Sequence, residues 1–309
     1  MSDLRFPAAP NTPLDVSTER DLSTIGTVGP ISLGCWRLTG SDDENIAIVT
    51  TAVDLGMTLL DNADVYGLDW GGTHFGACEE ALGRVFEAVS GLRERVVLAS
   101  KGGIIPGVPY DSSADYIISA CEASLRRMNV DVIDLYQIHR PDMFTHPEEV
   151  AQAFTSLRTR GLIRECGVSN YTVPQTLALN GFLDSGLATT QPQFSATHLE
   201  PMRDGTFDLC MEAAMTPLAW SPLAGGRIAT GEGIRPELLT VLDELAAREN
   251  VTRSAIGIAF VLAHPSHPVA IVGTTQTERL YELAKATSVS LSRTDVYRIV
   301  QASEGVALP

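Results

Sequence analysis

Asp61 and Tyr66 stand five residues apart in LLDNADVYG, directly after an apolar run that reads as a buried strand. A carboxylate at a strand end and a phenol in the following loop suit acid–base chemistry. Three later apolar runs also end in polar residues: VVLASK at Lys101, DLYQIH at His139, and ECGVSN at Ser169 and Asn170. A tyrosine alone is a poor acid near neutrality, with an ordinary pKa of about 10. A lysine beside it favours the phenolate and so lowers that pKa, and an aspartate paired with the lysine would hold it charged. A histidine nearby can hydrogen-bond a substrate oxygen. Together these groups form a proton donor aimed at a carbonyl undergoing reduction. Taken singly, each has a plainer reading: a turn cap, a core tyrosine, a solvated strand end, a structural histidine. Their ordered recurrence at strand ends requires a fold that brings them together.

The elements between them alternate. ISLGCW is a first short apolar run, and Ser41 or Asp42 can cap the helix that carries Ile46, Val49 and Val53 at helical spacing. MTLLDNA precedes a glycine-rich loop from Gly67 to Gly76 and a helix with Leu82, Val85, Phe86 and Val89 on one face. VVLASK precedes a helix aligning Ile117, Cys121, Leu125 and Met128, and VIDLYQIH precedes one with Val150, Phe154 and Leu157. IRECGVSN leads into a helix near Val173, where Pro174 suits the first turn. TTQPQFS, PLAWSPL and PVAIVGTT complete the series. Eight strand–helix units predict an α/β fold, the (β/α)8 or TIM barrel. A dinucleotide-binding open sheet would require G-x-G-x-x-G after the first strand, and WRLTGSDDEN stands there instead. Helices near Pro236–Arg248 and Thr294–Ala302 read as additions to the barrel. Residues 1–16, with three prolines, read as a flexible N-terminal extension; 17–309 read as one barrel domain with a short C-terminal tail. In a barrel the strand C-termini converge on one mouth, which gathers Asp61, Lys101, His139, Ser169, Asn170, Gln191 and Trp220, with Tyr66 just beyond.

Bulk properties narrow the classes. A net charge of −16 over 309 residues disfavours nucleic acid and anionic membrane as partners. No apolar run approaches a span of about 20 residues, and the N-terminus lacks a signal-peptide core, so a cytoplasmic protein is expected. Five scattered cysteines without C-x-x-C read as reduced thiols, and the six histidines show no metal-ligand spacing.

The motifs DNADVYG, ASK, IHRPD, GVSN, TTQPQFS, AWSPL and IVGTTQTERL, in this order over nearly the whole chain, resemble those of the aldo-keto reductase superfamily, most of all its shorter bacterial oxidoreductases. The resemblance implies a (β/α)8 barrel that binds NADPH in extended form and reduces aldehydes or ketones to alcohols. Tyr66 would be the general acid, tuned by Lys101 and Asp61, with His139 orienting the carbonyl. Ser169, Asn170 and Gln191 match residues that hold the nicotinamide carboxamide. Trp220 matches the aromatic residue that stacks on the nicotinamide, where relatives often have tyrosine. Gly34, Cys35 and Trp36 are likewise expected to contact the cofactor, with Trp36 also in the substrate pocket beside Tyr66 and His139. Ser221, Pro222, Leu223, Gly225, Gly226 and Arg227 match the segment along the pyrophosphate. Gly273, Thr274, Thr275 and Arg279 match the segment that grips the 2′-phosphate and adenine ribose, and Glu282 the adenine amino group. Many members have lysine where this chain has Gly273 and asparagine where it has Leu283, so NADPH is preferred while NADH is also admitted. Rival readings are a cofactor-binding regulatory subunit, a sugar or alcohol dehydrogenase, and a lyase using Lys101 as a Schiff base. The short tail predicts an open pocket for small carbonyl substrates, and the superfamily suggests a monomer.

Overall fold

The computed structural model describes residues 12–14, 16, 18–68 and 71–308. A short hairpin, β1 (Arg20–Asp21) and β2 (Thr27–Val28), precedes the first strand of the series. Eight parallel strands follow: β3 (Ile31–Gly34), β4 (Leu59–Asp61), β5 (Val97–Gly102), β6 (Ile133–Ile138), β7 (Ile163–Ser169), β8 (Thr189–Gln191), β9 (Thr216–Trp220) and β10 (Val269–Val272). Each pairs with the next in chain order, and β10 closes on β3 with Ala270 opposite Ile31 and Val272 opposite Leu33. The closed (β/α)8 barrel predicted from the alternation is thus the fold.

Successive side chains of a strand alternate between faces, and that parity sorts the sequence into layers. Leu59, Ala99, Leu135, Leu218 and Val269 meet in one buried cluster inside the barrel. Leu60, Leu98, Tyr136 and Val168, one step out of phase, belong to the larger core between strands and helices. Residues two or four places after the inner cluster therefore project inward, one layer nearer the mouth. They include Asp61, Lys101 and His139.

The floor is sealed by a part of the chain that the sequence pattern does not reveal. Leu22 and Val28, from the hairpin, join the inner cluster and are buried. The Arg20 guanidinium donates to the Pro268 carbonyl at 3.1 Å, and Ser23 and Thr24 both donate to Glu165. Strands of two residues are too short for alternation to show. Upstream, Pro13 bridges to Ser292 and the Leu14 N–H donates to the Leu291 carbonyl at 2.8 Å. Residues 1–11 and 15 of the expected extension lie outside the described residues.

Local signals set the helices. Ser41 and Glu44 form a capping box on helix Asp42–Asp54, and Thr172 and Gln175 form another on Val173–Asn180. The strand expected in TTQPQFS covers only Thr189–Gln191, because Pro192 has no N–H for the ladder. Helices Pro236–Glu249 and Arg293–Glu304 pack against each other outside the barrel, joined by Arg248–Asp295 at 2.9 Å. Among the described residues, no helix is long and apolar enough to cross a membrane.

Candidate active site

Strand parity puts Asp61 and Lys101 on adjacent strands with both side chains pointing into the barrel mouth. Lys101 is fully buried; its Nζ donates to Asp61 Oδ2 and to the Asn62 carbonyl, each at 2.8 Å. The other Asp61 oxygen accepts from Gln191 Nε2 at 2.9 Å. Gln191, expected to face a carboxamide, thus commits its amide N–H to the ion pair from across the barrel. Burial pulls the Lys101 ammonium down, but Asp61 and Tyr66 outweigh it, and the net pKa stands above the ordinary lysine value.

Tyr66 sits in the turn after β4, its ring centre 5.2 Å from Lys101 Nζ. Its pKa is pushed up to about 12, chiefly by burial, with Lys101 opposing and Asp61 reinforcing the rise. This corrects the expected net lowering: the lysine does favour the phenolate, but loss of water around the phenol is the larger effect. His139 meets Tyr66 edge to face at 5.6 Å and 84°. Burial first, then Lys101 and Arg140, hold its pKa well below the ordinary histidine value, so the ring is neutral near pH 7. Its Nδ1 has no hydrogen-bond partner among the described residues.

A second carboxyl, Asp64, is buried three residues beyond Asp61, and neither oxygen has a partner among the described residues. Burial and Glu79 raise its pKa well above the usual carboxylate range. It was open to notice as the second aspartate of DNADVYG, but its burial was not.

One wall is a chain of hydrogen bonds. Trp220 Nε1 donates to Asn170 Oδ1 at 2.9 Å; Asn170 Nδ2 donates to Ser169 Oγ at 2.7 Å; Ser169 Oγ donates to the Gln191 carbonyl at 3.0 Å. Asn170 adopts φ +59°, and Ser221 and Ala224 adopt +53°. Left-handed non-glycine residues are uncommon and cluster at functional sites.

These groups line a cavity of about 760 Å³. Its wall includes Asp61, Tyr66, His139, Ser169, Asn170, Gln191, Trp36 and Trp220 around the phenol. It continues along Ser221, Pro222, Leu223, Gly225, Gly226 and Arg227, then Gly273, Thr274, Arg279 and Glu282. Gly34, Cys35, Lys101 and Thr275 are not on this wall: Cys35 and Lys101 are fully buried behind it, and Thr275 is exposed. Arg37, Arg140 and Ser254 also line it, and no motif of the sequence marks them for that place.

The donor set fits a dinucleotide. Hydroxyls and amides stand beside the phenol, while the arginines Arg227 and Arg279 line the same cavity. Gly225 and Gly226 have φ of +70° and +95°, and a Cβ on either would meet nothing within 4 Å, leaving bare backbone along the cavity. Gly273 has a local cause: a Cβ there would lie 2.3 Å from Trp36 Nε1, so the indole occupies the space a lysine stem would need.

Residues 30–304 match the Aldo/keto reductase family. The chain is 43% identical to a 6-dehydroglucose reductase of Novosphingobium aromaticivorans, with all of both chains covered. It is 34% identical to the oxidoreductase YdhF of Escherichia coli over 93% of this chain and 98% of that one. Among solved structures, an aldo-keto reductase of Klebsiella pneumoniae in complex with NADPH superposes with a TM-score of 0.80, at 26% identity, over 96% of this chain and 97% of that one.

Proposed function

The chain belongs to the aldo/keto reductase family, and from that premise we propose that it reduces an aldehyde or ketone to the alcohol with NADPH, Tyr66 supplying the proton. The observation that carries this reading is the Tyr66 phenol beside the buried Lys101–Asp61 pair, facing neutral His139 in a cavity of about 760 Å³ whose wall runs on to Arg227 and Arg279. The reduced nicotinamide supplies, when bound, a hydride for the carbonyl carbon. Tyr66 Oη gives its proton to the carbonyl oxygen and is left as phenolate, which Lys101 stabilises until solvent returns the proton. His139, being neutral, donates a hydrogen bond to the same oxygen and fixes its direction. Ser169, Asn170 and Gln191 would hold the carboxamide of the nicotinamide, and Trp220 would offer its ring an aromatic face.

The test is NADPH consumption, followed by near-UV absorbance, with a panel of aldehydes, ketones and sugars. The 43% identical relative is named for 6-dehydroglucose, so a sugar carbonyl is the first substrate to try. Reduction needs the phenol protonated, and the phenol keeps its proton up to about pH 12. Reductive turnover is therefore expected to stay level from about pH 6 to about pH 9, with no histidine step near the ordinary value. Alcohol oxidation needs the phenolate and should rise with pH across the same range. A reductive rate that falls with a midpoint between pH 6 and 7 contradicts the neutral His139.

Two substitutions probe the cofactor wall. Trp220→Phe keeps an aromatic face but leaves Asn170 Oδ1 without its donor, and should lower kcat/KM roughly tenfold. An unchanged value would remove the indole N–H from the positioning chain. Arg279→Ala should raise the Kd for NADPH far more than that for NADH, because only NADPH offers a 2′-phosphate for bidentate contact. Equal effects, measured by fluorescence titration, would sink that assignment.

A further inference from the structure

Most described lysines and arginines of this acidic chain are held by carboxylates, as Arg84 is by Asp42, Arg127 by Glu79 and Arg248 by Asp295. The cavity wall differs. Among the described residues, Arg37, Arg140, Arg227 and Arg279 line it and none of the four is in an ion pair. In a chain of net charge −16, carboxylates are in excess, so guanidinium groups left unneutralised in a cavity are suited to an anionic ligand. Arg227 and Arg279 lie on the segments assigned above to the cofactor phosphates. Arg37 and Arg140 do not.

Arg140 directly follows His139, and its guanidinium sits over the Trp220 ring at 5.7 Å. Arg37 directly follows Trp36 and lies 4.2 Å over that ring. Stacking on an aromatic face fixes a planar cation without using its N–H donors, which stay free for a bidentate contact. The carboxylates on the wall are placed otherwise. Asp61 is engaged by Lys101 and Gln191, while Glu232 and Glu282 lie on the segments of Arg227 and Arg279.

We propose that Arg140, with Arg37 adding to its field, forms a subsite for an anionic group of the substrate. The substrate class is then a carbonyl compound bearing a carboxylate or phosphate a few bonds from the carbonyl. This rests on the reductase reading, which it narrows.

The experiment compares kcat/KM for matched substrates with NADPH: butanal against succinic semialdehyde, and glucose against glucuronate and glucose 6-phosphate. The two sugar anions separate carboxylate from phosphate. The charged member should be preferred at least about tenfold, and the preference should shrink as salt screens the charges. Arg140→Gln should remove most of the preference, and Arg140→Lys should keep part of it. Equal values for charged and neutral members overturn the subsite, as does a preference that survives Arg140→Gln. If Arg140→Gln lowers glucose and glucuronate equally, the guanidinium holds hydroxyls and the anion subsite is likewise overturned. A separate readout is tryptophan emission on adding succinate, with succinamide as control, to protein saturated with NADP. The guanidinium lies 5.7 Å over the Trp220 ring, so succinate alone should change the emission, and Arg140→Gln should abolish the change. If no carbonyl is consumed at all, the reductase reading fails; the succinate titration then judges the subsite by itself, and an unresponsive emission overturns it.

Discussion

Tyr66→Phe is expected to lower carbonyl-dependent NADPH consumption by about 10²–10⁴-fold, the usual worth of a positioned general acid. The Kd for NADPH, read by tryptophan quenching, should stay within about threefold, since the phenol oxygen is not assigned to cofactor binding. The substitution removes one oxygen and keeps the ring that packs edge to face on His139 at 5.6 Å. Loss of activity would therefore report the proton and not a collapsed pocket. The elevated pKa of the phenol, about 12, suits this role. In the reductive direction the group must hold its proton until charge develops on the carbonyl oxygen, and burial ensures that it does. In the proposed mechanism Lys101 would act at the later stage, when the phenolate has formed and a cation nearby lowers its energy. A Tyr66→Phe protein with undiminished turnover would refute the role of the phenol and turn attention to His139.

Much of this arrangement was legible in the sequence because barrel chemistry is written at strand ends. Asp61, Lys101, His139 and Ser169 each close an apolar run, and closing the sheet necessarily brings such ends together. What was not legible depends on distance and burial. Gln191 lies 130 residues from Asp61, and nothing local announces that its amide N–H goes to that carboxylate. The direction of the Tyr66 shift could not be read from its neighbours' identities, because the largest effect is the exclusion of water. Gly273 looked like a lost cation; the structure adds that Trp36 fills the space, a contact between the first strand's loop and the last strand's end. The hairpin that plugs the floor leaves no pattern in the sequence, because Leu22 and Val28 stand six residues apart with no alternation between them. Arg37 and Arg140 were hidden by their neighbours: each follows a more conspicuous residue of the resemblance, Trp36 and His139.

Lys101→Met should both abolish turnover and destabilise the fold, which separates it from Tyr66→Phe. Removing one partner of a buried ion pair leaves the other charge without compensation, at a cost of about 3–5 kcal/mol. For a chain of this length that corresponds to a melting temperature lower by roughly 5–8 °C. Here the ammonium is fully buried and also satisfies the Asn62 carbonyl, so two acceptors lose their donor. Gln191 would remain as the donor to Asp61 among the contacts described above. The pH dependence has a definite sign. The folded pKa of Lys101 lies above its unfolded value of 10.5, so its contribution is fully present below that pH and is lost as pH rises through the folded value. The deficit of Lys101→Met relative to the parent should therefore be constant from neutral pH to about pH 9 and narrow only in strong alkali. The double variant Asp61→Asn/Lys101→Met removes both charges and still leaves Gln191 an amide oxygen to which it can donate. Its melting temperature should lie above that of Lys101→Met alone, a coupling that urea or thermal unfolding measures directly. Additive losses would mean that the pair is not energetically linked. Its place behind the phenol would then have to be explained by catalysis alone.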